Sequence, residues 1–163
     1  MATEWSDIYQ LFFDEIQKDP DFFMYNNVDP TEALEIATSR AKGYLIESVS
    51  ELILSCTPDI DFTDFNATTE SFTPTLTFTE KDILAKLMFK KFLDKDMVLL
   101  KALSNSLSPK DMNVFSPANE RRTFTDMLKI LENKNTKMIK SYASRDRLTN
   151  KLKQINYASY NEV

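Results

Sequence analysis

A chain of 163 residues that is 42% apolar, with twelve Phe, can bury a single-domain core without metals or disulfides. It contains one Gly and no His, which excludes phosphate-cradling glycine loops and removes the commonest general base and metal ligand. The single Gly, far below the usual share of about 7%, favours a helical fold, and the net charge of −5 argues against a strongly basic, duplex-coating protein.

The charge is unevenly spread. Residues 1–35 hold nine acids and one base, residues 36–119 eleven acids and nine bases, and residues 120–155 four acids and ten bases. An acidic start and a basic end fit two solvated helix faces, or complementarity between copies or with an acidic neighbour. The lone Cys56 cannot close an intrachain disulfide and reads as a small buried apolar residue of a reducing cytoplasm. No signal peptide is visible, and no apolar run approaches the roughly 20 residues that span a bilayer, so no membrane partner is expected.

In chain order, Thr3 to Lys18 predicts a first helix with Trp5, Ile8, Phe12 and Ile16 on one face. Asp19-Pro20 ends it. The connector Asp21–Val28 carries Phe22, Phe23 and Tyr25, three aromatics that either tuck under the fold or form a docking patch. Asp29-Pro30-Thr31-Glu32 combines an N-cap, proline at the first helical position and Glu at the third. It opens a helix reaching about Cys56, with Leu34, Ala37, Ala41, Tyr44, Leu45, Val49, Leu52 and Ile53 on one face. Gly43 lies inside it, where glycine costs about 1 kcal/mol against Ala, and so marks a close helix contact or a kink.

Between Thr57 and Thr79 the period changes to two. Asp59–Thr63 and Phe72–Phe78 predict a β-hairpin around Asn66–Ser71, with Pro74 confining its second strand to an edge. An isolated hairpin is marginal in water, so it either packs on the helices or pairs with another copy, with Phe62 and Phe72 as candidates to meet another chain. Thr79 followed by Glu80, Lys81 and Asp82 predicts a capping box for the most apolar helix, with Ile83, Leu84, Leu87, Met88, Leu93, Met97, Leu100 and Leu103 at helical spacing. This helix is expected at the centre of the core. Ser108-Pro109 and Ser116-Pro117 are further helix starts. A last helix is expected from Ala118 to about Ile155, weakened at Asn133–Thr136, with Phe124, Met127, Leu128, Leu131, Met138, Tyr142, Leu148 and Leu152 on its stripe. Its basic face offers Arg121, Arg122, Lys137, Lys140, Arg145 and Arg147 to a partner.

The expected architecture is therefore mainly α: a bundle of four to five helices over residues 1–155, with a β-hairpin insertion at 58–78 and a flexible tail at 156–163. No cofactor, metal or catalytic group is expected, and the chain is not read as an enzyme.

Three stretches carry a resemblance. These are the opening Ala2-Thr3-Glu4-Trp5-Ser6-Asp7-Ile8-Tyr9, the run Leu76-Thr77-Phe78-Thr79-Glu80-Lys81-Asp82-Ile83-Leu84-Ala85, and the step Asp111–Asn119 before a charged terminal helix. Together they resemble small virion proteins of tailed phages of low-GC Gram-positive hosts, the head–tail connector or adaptor subunits of the neck. Phe92, where such proteins tend to carry Trp, and the continuation Arg121-Arg122-Thr123 depart from the pattern. The resemblance implies a homo-oligomeric ring, a dodecamer, that docks the portal protein on one side and an adjacent neck or tail protein on the other. DNA would pass through its lumen, and the protein would reside in the host cytoplasm during assembly and in the virion neck afterwards. Beside it stand a small cytoplasmic regulatory module that holds a partner helix against the aromatic connector, and a nucleic-acid-binding protein using the basic C-terminal helix.

Overall fold

A computed structural model describes residues 2–16, 28–106 and 117–154, and the side chains among them except those of 96–106, 117–121, 123 and 124. The elements in order are β1 (Thr3–Glu4), α1 (Trp5–Ile16), α2 (Pro30–Ser55), β2 (Phe65–Asn66), β3 (Ser71–Phe72), α3 (Phe78–Ser106) and α4 (Pro117–Ala143). The fold is mainly α with a small antiparallel sheet of strand order β1-β3-β2. α3 is its centre and packs against α1, α2 and α4.

α1 forms because its apolar residues recur at three and four: Trp5, Ile8, Phe12 and Ile16 are all at most 1% exposed. α2 starts at Pro30, and the Asp29 carboxylate accepts from the Thr31 amide at 3.2 Å, as the cap sequence predicts. It ends at Ser55, where the Cys56 amide donates to the Leu52 carbonyl at 3.1 Å. Cys56 is half-buried rather than enclosed, and burial raises its thiol pKa.

The expected inner face of α2 is buried from Ala37 to Leu52, but Leu34 is 54% exposed because Ala33 takes the buried position at that end. The helix is unbroken at Gly43, and a Cβ built there would meet nothing within 4 Å. No close contact within the described fold requires that glycine. Gly43→Ala is therefore expected to stabilise the subunit by about 1 kcal/mol, read as a rise of about 2–4 °C in melting temperature.

The hairpin is smaller than its alternation suggests. Asp59–Thr63 is not a strand: the Asp61 carboxylate accepts from the Thr63 amide at 2.8 Å and turns the backbone locally. Only Phe65–Asn66 and Ser71–Phe72 pair, in the register Phe65↔Phe72 and Asn66↔Ser71. Asn66 Oδ1 closes the turn by accepting from the Thr68 and Thr69 amides at 2.9 and 3.3 Å. The third strand comes from the start of the chain, with Thr3↔Phe72 and Glu4↔Ser71. β3 is thus paired on both sides within its own chain, which corrects the alternative of a hairpin waiting for another chain and favours the one in which it packs at home.

The cap of α3 is also displaced from its expected place. Thr77, not Thr79, closes the box: its Oγ1 accepts from the Glu80 amide at 3.3 Å, and its own amide donates to Glu80 Oε2 at 2.7 Å. Thr77 stands just before the helix and three positions from Glu80, as reciprocal bonding requires, whereas Thr79 already lies inside the helix that begins at Phe78. Behind it Ile83, Leu84, Leu87 and Met88 are fully buried.

α4 begins at Pro117 and runs unbroken through Asn133–Thr136. Asn135 turns inward at 7% exposure, its amide donating to the Lys86 carbonyl at 3.5 Å. The helix stops at Ala143, not near Ile155. Asp146 offers its carboxylate to the Leu148 and Thr149 amides, Asn150 takes a φ of 56°, and Arg145 bridges back to Leu152. Leu148 and Leu152 consequently leave the helical stripe and are 77% and 65% exposed. The side chain of Leu100, the Ser108-Pro109 step and the tail 156–163 lie outside what is described.

Candidate functional site

Two arrangements stand out: the outward face of α4, and an ion cluster where the segment after α4 meets the start of α3. On α4, Leu128, Asn135, Ile139 and Tyr142 face the bundle. The opposite face carries exposed Arg122, Lys129, Lys134, Lys137 and Lys140. Lys129 lies 3.9 Å from Asp126, both more than half exposed, which is worth little in water. Glu132 bears on Lys90 of α3, whose pKa is pulled down by burial and raised on balance by Glu51, Asp94 and Glu132. One acid of α4 is thereby engaged at the bundle, and the outer face is left basic.

Arg145 and Arg147 do not belong to that face. Arg145 is half-buried beyond the helix end and donates to the Asn150 carbonyl at 2.9 Å. Arg147 is a structural residue: its Nε donates to Glu80 Oε1 at 2.8 Å, and its second nitrogen donates to Glu80 Oε2 at 2.9 Å and to the Thr75 carbonyl at 2.8 Å. Tyr142 donates to Glu80 Oε1 at 2.8 Å. Glu80 has no exposed surface, and every contact it receives is a donor. Burial alone would raise its pKa. The hydrogen bonds from Arg147, Thr77 and Tyr142, with the Arg147 charge, outweigh burial and hold the carboxyl below its ordinary range. Burial and the bond to Glu80 push the Tyr142 hydroxyl well up. A carboxylate so satisfied is a clasp and not a general base. Lys153, 2.7 Å from Asp59, secures the same segment further on.

Phe62 and Phe72 are not a docking surface either. Both are 0% exposed, edge-on to one another at 6.4 Å between centroids, with Phe72 also 5.9 Å from Trp5. They are core because β1 closes over β3. Phe22, Phe23 and Tyr25 and the side chain of Arg121 fall outside the described residues. Of the predicted contact residues, the structure brings together Arg122, Lys137 and Lys140 on one exposed face.

Sequence reasoning missed Glu80 as a tertiary anchor. Its only local signal is the Thr77-x-x-Glu80 spacing, since its Arg147 partner is 67 residues away. Among the described residues no group of three potential ligands could hold a metal, and no helix is long and apolar enough to cross a membrane. Comparison with protein-family models, with curated proteins and with solved structures finds no match for this chain.

Proposed function

We propose that the chain is a structural virion protein, a head–tail connector subunit that assembles as a ring between portal and tail. The observation that carries this reading is where the fold puts the uneven charge. α1 contains Asp7, Asp14 and Glu15 and no base, and α2 four acids and two bases, whereas α4 contains six bases and three acids. All three helices pack on α3, and α4 makes little contact with either acidic helix. A subunit with unlike charges on separate flanks is complementary to its own copy in a head-to-tail contact. Such a heterologous contact closes into a ring when the rotation between copies allows. The resemblance in the opening, the Leu76–Ala85 run and the Asp111–Asn119 step supplies the setting, with the portal, the next neck protein and DNA in the lumen as neighbours.

The triple variant Arg122→Glu, Lys137→Glu, Lys140→Glu tests this reading. It should keep its helical circular dichroism while self-association, followed by sedimentation, weakens more than tenfold, and added salt should weaken the unmodified protein in the same direction. Titration with duplex DNA separates the alternative. Tight binding with a steep salt dependence, lost in the triple variant, would move the basic face to nucleic acid and away from a neighbouring subunit.

A further inference from the structure

The outer face of α2 carries a pattern that no other described part of the subunit uses. Ile36, Ser39, Gly43, Ile46, Ser50 and Leu54 recur at intervals of three and four, and so form one stripe along the helix. It lies away from the buried face that runs from Ala37 to Leu52. Ile46 is 42% and Leu54 85% exposed, and the stripe's three small residues, Ser39, Gly43 and Ser50, are exposed as well. The chain's one glycine sits in the middle of this stripe with open space above it. A helix interior disfavours glycine, and here neither a positive φ nor a neighbouring atom asks for it. What it permits is the close approach of something outside the subunit.

α4 presents a second outward stripe with the same rhythm. Met127, Ile130, Lys134 and Lys137 are spaced three, four and three. Met127 and Ile130 are 38% and 55% exposed, and both lysines point to solvent.

We propose that the outer face of α2 receives the outer stripe of α4 from a second copy of the chain, with Met127 and Ile130 against the smooth run around Gly43. Charge selects this occupant. α2 holds four acids and two bases, with Glu32 and Glu35 exposed and Glu47 exposed but paired to Lys95 at 2.9 Å, and α4 holds six bases and three acids. Pairing two α2 faces would set acids against acids, and pairing two α4 faces bases against bases. Only the cross pairing joins unlike partners. Each copy then gives α4 to the next and offers α2 to the one before, which is the heterologous contact a ring requires. The inference rests on the ring reading and names its interface.

The test uses the full chain with two kinds of variant. Gly43→Gln fills the open space without disturbing the fold. It is expected to melt no lower than the unmodified protein at high dilution and to weaken self-association more than tenfold by sedimentation. In a Cys56→Ala background, chains with Gly43→Cys mixed with chains with Ile130→Cys should form an interchain disulfide under mild oxidation, while neither forms one alone. If the unmodified protein associates but Gly43→Gln does so equally and the mixture does not cross-link, this interface is wrong and the ring uses another surface. A disulfide in the Gly43→Cys sample alone would likewise overturn it, in favour of two α2 faces. If no variant and no unmodified sample associates at any concentration, and micrographs show no ring, the ring reading fails and the interface falls with it.

Discussion

Arg147→Ala is expected to lower stability by about 3–5 kcal/mol, the usual cost of removing one partner of a buried ion pair. The cost comes from what is left behind. Glu80, largely enclosed by the fold, would keep only Thr77 and Tyr142 as donors, and the segment after α4 would lose its hold on the start of α3. The pH dependence identifies the cause. In the native fold the Glu80 carboxyl titrates below its ordinary value of 4.5. Its contribution to stability is therefore fully present above that value, and is lost as pH falls through the lowered native one. Without Arg147, burial acts with less opposition, and Glu80 takes up a proton more readily. The gap between variant and unmodified protein should therefore narrow on acidification, whereas the effect of Arg147→Ala measured in a Glu80→Gln background, where the titrating charge is absent from both chains, should show little such narrowing. Denaturant melts at neutral and acid pH measure this. A gap below about 1 kcal/mol at neutral pH, or one unchanged by acid, would mean that the cluster does not hold the two segments together.

The parts of this fold that were legible in the sequence are those whose cause is local. Trp5, Ile8, Phe12 and Ile16 announce their helix by spacing alone, and Asp29-Pro30 announces the next by cap and proline. The expectations that failed each depended on a distant partner or on a competing side chain. Phe72 reads as a strand residue in need of a neighbour, but the neighbour is Thr3, 69 positions earlier, in a two-residue strand too short to show a period. Arg147 reads as one more cation on a basic helix, because nothing near it indicates Glu80. Asp146 ends that helix by bonding its own backbone ahead, a choice that the apolar stripe through Leu148 and Leu152 conceals. Gly43 is the converse case. Its position is plain in the sequence, but among the described residues nothing accounts for it, and the space above it is open.

Phe72→Ala is expected to cost about 3–5 kcal/mol, and it separates a core role from a docking role for this residue. As an aromatic waiting for another chain, Phe72 would lose only association when truncated, with the isolated subunit unharmed. The structure puts it at 0% exposure in the middle strand of the sheet, paired with Thr3 on one side and Phe65 on the other. Its ring lies 5.9 Å from Trp5, 6.0 Å from Phe65 and 6.4 Å from Phe62 between centroids. Each such pair is worth about 0.5–1.5 kcal/mol beyond the area it buries. Truncation would therefore open a cavity under β1 and loosen the packing of Trp5, the chain's one tryptophan. Two measurements report the result: the denaturant midpoint should fall, and Trp5 fluorescence should shift toward that of solvated indole before global unfolding. Amide exchange at Trp5, whose N–H donates to the Glu70 carbonyl at 2.8 Å, should quicken with it. A variant within about 0.5 kcal/mol of the unmodified protein would return Phe72 to the surface and to the role of a contact with another chain.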